Sequence, residues 1–206
     1  MSDKKTLIAV PAMDMCPVPF AYSLATLRRD APSKISMISG AAVHEARNVL
    51  AREAIEAGCE RVLWIDSDMV FPDDLMIRLG EDLDAGYDMV CGIYFKRRLP
   101  VTPVIYRSIA AATGQCEVYA DYPQDSLFEI AGCGFGAVMM TTELLKRADA
   151  EFKTGPFTPL LKLSEDLSFC ARAASAGARM GCDSRIKVGH AGQIVYGEGM
   201  YRRDKT

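Results

Sequence analysis

A short apolar segment that runs directly into two carboxylates constrains the fold of this chain most strongly. Residues 62–65 are apolar and rich in β-forming types, a run long enough for a buried strand and too short for a helix. Asp66 and Asp68 follow at once, and their side chains project to the same side because strand side chains alternate. Residues 71–74 combine a proline with two acidic residues, which is typical of the start of a helix. The stretch 61–74 therefore predicts a strand, an acidic pair and a helix.

The acidic pair predicts a cation site. Two like charges at this spacing repel each other, and a bound divalent cation is the usual reason for a protein to tolerate them. Mg²⁺ and Mn²⁺ prefer oxygen ligands and keep coordination positions open for water or a substrate phosphate. Asp66 and Asp68 are therefore candidate ligands for Mn²⁺ or Mg²⁺ at the end of the strand.

The first part of the chain alternates strand-like and helix-like segments. Apolar β-forming runs predict strands over residues 6–11, 34–39, 61–66 and 88–94. Helical spacing and helix-start signals predict helices over residues 20–29, 43–57 and 73–84. This alternation indicates an α/β fold with a mainly parallel sheet and helices on both faces.

Beyond residue 95 the pattern changes to short strands and loops. Strands are predicted over residues 101–106, 115–120, 127–131, 137–140 and 180–183. One short helix is predicted over residues 142–148, and a second begins at Ser164 and ends before Gly177. An antiparallel, loop-rich second part is therefore expected.

Composition and cysteine spacing argue against several classes of protein, namely disulfide-stabilised, zinc-stabilised and membrane-spanning proteins. At 206 residues, one domain spanning residues 1–206 is expected, and a net charge of −3 gives no general reason to expect nucleic-acid binding. The seven cysteines are scattered without a Cys-x-x-Cys pair, which argues against a disulfide framework and a structural zinc site. No apolar run approaches the ~20 residues that span a bilayer, and no secretory signal is evident. A cytoplasmic protein without stable membrane insertion is expected.

Four short motifs in order carry a resemblance to a known family. They are Leu-Trp-Ile-Asp-Ser-Asp-Met-Val-Phe-Pro at 63–72, Gly-Cys-Gly at 132–134, Ser-Glu-Asp-Leu-Ser-Phe-Cys at 164–170, and Gly-His at 189–190. In this order they resemble the GT-A fold glycosyltransferases, most closely the small family-2-like members of phages and bacteria.

The resemblance spans roughly residues 5–192, and it implies an architecture. The expected fold is a Rossmann-like three-layer sandwich with a mixed central sheet and a smaller antiparallel portion on the acceptor side. Residues 5–95 would form the nucleotide-binding half and residues 96–192 the acceptor and catalytic half. For a phage-encoded protein, the expected location is the host cytoplasm.

The resemblance also implies how the donor is held. Asp66, Ser67 and Asp68 match the Asp-x-Asp motif that binds Mn²⁺ or Mg²⁺ together with the diphosphate and ribose of a sugar nucleotide. The final aspartate, Asp68, usually contacts the metal directly, and His190 matches a histidine that often adds a ligand. A neutral imidazole suits Mn²⁺, and flanking small residues make a packed core position unexpected for His190.

Asp166 matches the general base of inverting members, and Glu165, its neighbour in the same Glu-Asp motif, is a second candidate catalytic residue. From the residues alone, two acids in the first turn of a helix also complement the helix dipole, so a purely structural role is the alternative. The dipole favours the ionised carboxylate that a base needs.

Several further positions are candidates for donor binding. Pro11, Ala12 and Asp14 follow the first strand, where open α/β sheets bind nucleotides. Arg47 matches a basic residue that often faces the donor nucleotide, with a solvated surface arginine as the alternative. Gly134 lies in a glycine-rich segment that could let the backbone approach a sugar closely.

The basic segment Lys96, Arg97 and Arg98 could bind phosphate or a charged acceptor, or simply be solvated. The function expected is transfer of a sugar from a nucleoside diphosphate sugar to an acceptor hydroxyl, with inversion. Two alternatives stay open, a nucleotidyltransferase acting on sugar phosphates and a non-catalytic sugar-nucleotide binder. The acceptor is left open among a saccharide, a lipid-linked molecule, a protein and a modified DNA base.

Overall fold

The computed structural model describes residues 4–150, 153–160, 162–192 and 195–199. Its strands are β1 (Thr6–Ala12), β2 (Ser33–Ser39), β3 (Arg61–Ile65), β4 (Met69–Val70), β5 (Met89–Ile93), β6 (Ile105–Ala110), β7 (Gln115–Val118), β8 (Leu127–Glu129), β9 (Gly132–Cys133), β10 (Ala137–Thr141), β11 (Met180–Lys187), β12 (Gly189–Ala191) and β13 (Val195–Tyr196). Its helices are α1 (Val18–Thr26), α2 (Val43–Glu56), α3 (Leu75–Asp84), α4 (Thr142–Asp149) and α5 (Glu165–Ser175). No helix within the described ranges is long and apolar enough to cross a membrane.

The central sheet is mixed. Its seven strands lie in the order β2-β1-β3-β10-β5-β11-β8. β1 is parallel to β2 and β3, and β5 is parallel to β11. β10 runs antiparallel to both of its neighbours, and β8 is antiparallel to β11. The predicted α/β fold with a mixed central sheet is confirmed. The parallel sheet predicted for the first part is interrupted because β10, from the second part, lies between β3 and β5.

The sheet is covered on both faces, which explains why its strands are continuous apolar runs. In β3, Val62 and Trp64 belong to one buried cluster, and Leu63 and Ile65 belong to the other. Helices α2, α4 and α5 supply apolar side chains to the first cluster, while α1 and α3 supply the second. The fold therefore has three layers. Fully burying a leucine such as Leu50 contributes about 1.5–3 kcal/mol relative to leaving it exposed.

Two small antiparallel sheets flank the main one, in the orders β13-β12-β4 and β7-β6-β9. β4 follows the acidic pair directly, and its Met69 is the register partner of His190 in β12. His190, expected outside regular structure, therefore lies on a strand. Strands of two or three residues carry no periodic signal, so the sequence did not predict β4 or the β12–β13 pair. The strand predicted over 101–106 begins instead at Ile105, after a loop closed by Lys96 N–H and the Thr102 carbonyl.

Candidate active site

A cleft of about 280 Å³ opens at the carboxyl ends of β1 and β3, the edge where α/β sheets bind ligands. Its walls come from the loops after these two strands, the start of α2, the segment after β5, the start of α5 and β12. The lining residues are Pro11, Met13, Val43, Arg47, Asp66, Ser67, Asp68, Tyr94, Arg97, Phe135, Glu165, Asp166 and His190.

Most of the residues singled out from the sequence converge on this cleft. Those that line it are Pro11, Arg47, Asp66, Ser67, Asp68, Glu165, Asp166 and His190. The predicted donor-binding residues Ala12, Asp14 and Gly134 are not among the lining residues. Asp166 and the Asp66–Asp68 pair, which lie far apart in the chain, therefore share one pocket.

Gly134 lies behind the cleft wall, against a buried tyrosine. A Cβ atom at Gly134 would lie 2.0 Å from Tyr94 Oη and 2.7 Å from Val104 Cγ1. No side chain fits in that space. The glycine therefore makes room for the Tyr94 ring, which itself lines the cleft.

Sequence reasoning missed Met13, Val43, Tyr94 and Phe135 as cleft residues, and it considered Arg97 only as part of a basic segment. Tyr94 follows β5 directly, so its position at the carboxyl end of a strand was the available signal. The other three are apolar side chains, which no spacing rule separates from core residues.

Arg47 links the two acidic motifs. It projects from α2 with only 2% of its surface exposed, so the surface alternative is excluded. Its Nη2 donates to Asp66 Oδ1 at 2.8 Å, and its Nε lies 3.6 Å from Glu165 Oε1. One guanidinium thus neutralises a carboxylate from each motif and holds the two motifs together.

The Arg47 guanidinium is enclosed by aromatic rings. Its Cζ lies 5.0 Å from the centroid of Phe135 and 5.9 Å from those of Trp64 and Phe157. Cation–π attraction stabilises a cation held this way. Arg47 Nε and Nη1 have no hydrogen-bond partner among the described residues, although both are buried. Buried N–H groups without hydrogen-bond partners are costly, and the contacts with the aromatic rings and the ion pair with Glu165 offset part of that cost.

Asp68 lies between a guanidinium and an imidazole. Arg97 Nη1 is 2.9 Å from Asp68 Oδ2, and His190 Nε2 is 3.3 Å from the same oxygen. Burial would raise the pKa of Asp68, but the interactions with His190 and Arg97 outweigh it and lower that pKa. Asp68 is therefore an ionised carboxylate facing cations.

His190 is oriented as metal-binding histidines usually are. Its Nδ1 lies 3.0 Å from the carbonyl oxygen of Phe95, which can only accept a hydrogen bond, so Nδ1 carries a proton. A protonated Nε2 would donate to Asp68 Oδ2 at 3.3 Å, whereas the neutral ring would direct its Nε2 lone pair at the same carboxylate. Metal ligands commonly donate their second N–H to a backbone carbonyl in this way. A cation that replaces the Nε2 proton would have the imidazole nitrogen and the Asp68 carboxylate as neighbouring ligands.

The donor chemistry of the cleft fits Mn²⁺ or Mg²⁺, although the ligand set is not fully assembled. Asp68 and His190 supply a carboxylate oxygen and an imidazole nitrogen, whereas Asp66 is turned toward Arg47. Across the described parts of the chain, no group of three or more His, Cys, Asp or Glu side chains is placed to hold an ion. Four carboxylates and two guanidiniums line the cleft, a net charge of −2 before any contribution from His190. An anionic diphosphate would need a cation to bind there.

Crowding of the carboxylates perturbs Asp66. Burial, together with repulsion from the other three carboxylates of the cleft, raises the pKa of Asp66 to about 6, while Arg47 opposes the shift. Neutralising any one of these carboxylates would reduce the electrostatic repulsion among the others.

Asp166 is held by one of its two oxygens. Its Oδ1 accepts hydrogen bonds from the Ser164 hydroxyl and, at 2.7 Å, from the Leu167 backbone N–H. Ser164 is the N-cap of α5, as predicted, but its hydroxyl does not cap a backbone group. Asp166 Oδ2 has no hydrogen-bond partner within the described ranges and belongs to a residue that lines the cleft. The arrangement leaves that oxygen free to accept a proton.

These features define a mixed α/β protein with an acidic cleft at the carboxyl ends of its sheet strands. The chain is similar to A197 from STIV, a solved crystal structure. The similarity covers 91% of this chain and 85% of that chain, with a TM-score of 0.66 and 21% sequence identity. At this identity the likeness shows a shared fold. No protein-family model matches the chain, and no curated protein matches it.

Proposed function

We propose that this protein is a metal-dependent glycosyltransferase of the GT-A type, which moves a sugar from a nucleoside diphosphate sugar to an acceptor hydroxyl with inversion. The observation that carries the proposal is the cleft in which Arg47 joins the Asp66–Asp68 motif to the Glu165–Asp166 motif. The fold shared with A197 from STIV is compatible with it.

The donor diphosphate would bind beside Arg47. The Arg47 guanidinium is a buried positive charge in a residue that lines the cleft, and phosphate oxygens are natural partners of arginine. The loop after β1 would contact the base and ribose, with Pro11 and Met13 on the cleft wall. Met13 N–H donates to Ser67 Oγ at 3.4 Å, which ties this loop to the acidic motif.

Asp68 and His190 would hold Mn²⁺ or Mg²⁺, with Asp66 as a further candidate ligand. The ion would act as a Lewis acid that neutralises charge on the departing diphosphate. Asp68 Oδ2 and His190 Nε2 lie 3.3 Å apart, and a carboxylate with a neutral imidazole is a donor pair that suits such an ion.

Asp166 would serve as the base. An acceptor hydroxyl is a poor nucleophile, and a carboxylate must take its proton as it attacks the sugar. The free Oδ2 of Asp166 is suited to that role, while Glu165 is engaged with Arg47 and would position the arginine. Transfer in one displacement needs no protein nucleophile and inverts the anomeric centre.

A donor screen tests the proposal. Thermal unfolding is followed with Mn²⁺ and each common nucleotide sugar, because a ligand that binds the folded state raises its apparent stability. The stabilising donor is then incubated with Mn²⁺ and candidate acceptors, and the released nucleotide is identified. Release of nucleoside diphosphate supports the proposal. Release of pyrophosphate would assign the protein to the nucleotidyltransferases, and binding without any transfer or hydrolysis would make it a binder.

A further inference from the structure

Arg97 places a positive charge where a bound metal ion would compete with it. The residue belongs to a loop that follows β5 and is closed by the Lys96 N–H to Thr102 carbonyl hydrogen bond of 2.9 Å. Its Nη1 lies 2.9 Å from Asp68 Oδ2 and 3.1 Å from the carbonyl oxygen of Ala191. The carboxylate that would hold the ion is therefore already paired with a cation.

The two arginines of the cleft differ in how firmly they are held. Arg47 is buried under aromatic rings, whereas the Arg97 side chain is 45% exposed. An ion pair with one solvent-exposed partner is weaker than a fully buried pair and exchanges at lower cost. Arg97 is therefore the cation that can leave its carboxylate.

A divalent ion held by Asp68 would lie close to the Arg97 guanidinium, and the repulsion between their like charges would weaken the ion pair between Arg97 and Asp68. The donor, in contrast, brings negative phosphates into the same cleft. A guanidinium released from Asp68 would find these phosphates within the pocket that it already lines.

We propose that Arg97 is an exchangeable cation, which neutralises Asp68 in the metal-free protein and contacts the donor phosphates once metal has taken its place. The proposal rests on the metal-dependent donor site described above. Metal binding and donor binding would then favour each other. The metal displaces Arg97 from Asp68, and the donor phosphates stabilise Arg97 in its displaced position.

The proposal predicts effects of opposite sign from one substitution. Arg97→Ala removes the competitor, so Mn²⁺ alone binds about two- to fivefold more tightly, the range expected for an ion pair with one exposed partner. The same substitution removes a phosphate contact, so nucleoside diphosphate in the presence of Mn²⁺ binds about tenfold more weakly. A merely structural role for Arg97 would weaken both.

The experiment titrates the full chain with Mn²⁺, following free Mn²⁺ by electron paramagnetic resonance, and then with UDP, GDP, ADP and CDP at saturating Mn²⁺. Arg97→Lys keeps the charge and should bind Mn²⁺ nearly as the parent protein does. Arg98→Ala is the matched control, because Arg98 is exposed and has no partner within the described chain. Circular dichroism checks that each variant is folded.

Tighter Mn²⁺ binding with weaker nucleotide binding in Arg97→Ala supports the exchange. Unchanged or weaker Mn²⁺ binding in Arg97→Ala overturns it, as does a parent protein that binds no Mn²⁺. These titrations require no sugar transfer. If the opposite shifts appear but no donor is turned over, the exchange stands and the glycosyltransferase proposal fails.

Discussion

Arg47 Nη2 donates a hydrogen bond of 2.8 Å to Asp66 Oδ1, from a side chain that is only 2% exposed. The first carboxylate of the acidic motif is thus engaged by a buried cation, and the second, Asp68, faces His190 and Arg97. The two aspartates therefore have different surroundings and different expected roles. We expect Asp66 to orient Arg47 toward the donor and Asp68 to be the principal metal ligand.

Replacing Arg47 should destabilise the protein and prevent donor binding. Arg47→Met leaves Asp66 and Glu165 without their shared cation, and breaking a buried pair from one side costs about 3–5 kcal/mol. Because Asp66 remains partly accessible to water, a loss of about 2–4 kcal/mol in the free energy of unfolding is expected. Urea denaturation measures it. Arg52→Met, at an exposed position of the same helix, is the control and should stay within about 0.5 kcal/mol. Equal stability of the two variants would contradict this role for Arg47.

Removing the Ser164 hydroxyl should slow transfer without affecting donor binding. Ser164→Ala frees Asp166 Oδ1 from one of its two donors, so the base loses its fixed orientation. A drop of about tenfold in kcat with an unchanged KM for the donor is expected, in line with the cost of misplacing a catalytic group. Ser164→Thr keeps the hydroxyl and should recover most of the rate. Full kcat in Ser164→Ala would show that the Ser164 hydroxyl does not position the base.

Gly134→Ala tests whether this glycine serves packing or sugar binding. The added Cβ would collide with Tyr94 Oη, and overpacking of this kind costs about 1–3 kcal/mol. Tyr94→Phe removes the nearest colliding atom and should recover part of the loss, although Val104 still lies close. Thermal or urea unfolding of both single variants and the double variant gives the coupling energy. If the effects of the two substitutions on stability are additive, Gly134 does not serve to make room for Tyr94.

A buried acidic pair remote from the cleft makes stability depend on pH. Burial and the neighbouring Asp183 raise the pKa of Asp82 to about 6, while Arg185 opposes the shift. In the unfolded chain this carboxyl ionises near pH 4, so between about pH 4 and 6 the folded state holds the extra proton and stability falls as pH rises.

Asp82→Asn removes that ionisation from the folded protein. At pH 8 the variant should be about 1–3 kcal/mol more stable than the parent, and at pH 4 the two should be nearly equal. Urea unfolding at both pH values measures the difference. A stabilisation of the same size at both values would contradict a titrating Asp82.

The long elements were predictable because their signals are local. The apolar run of β3 and the helical spacing of α2 each identify an element without knowledge of its partners. The place of β10 was not predictable, since its insertion between β3 and β5 depends on pairing between distant segments. His190 was singled out, yet its strand was missed because β12 spans only Gly189–Ala191.

Within the candidate site, residues whose chemistry is distinctive were found from sequence, and those defined by packing were not. Carboxylates at the boundaries of predicted strands and helices can be found from sequence, as were Asp66, Asp68 and Asp166. The aromatic enclosure of Arg47 depends on Phe135 and Phe157, which only the folded chain brings together. Sequence patterns could not show these contacts because each involves residues from different elements.

We expect the Asp66–Asp68 motif to bind metal and diphosphate and the Glu165–Asp166 motif to supply the base. One paired measurement tests these separate roles most directly. Asp68→Asn and Asp166→Asn are compared with the parent for release of nucleoside diphosphate during transfer and for Mn²⁺-dependent nucleotide binding. Both variants should lose transfer, and only Asp68→Asn should lose Mn²⁺-dependent binding, because the role proposed for Asp166 concerns the acceptor and not the metal. Full transfer by Asp166→Asn, or unchanged Mn²⁺-dependent binding by Asp68→Asn, would contradict the account.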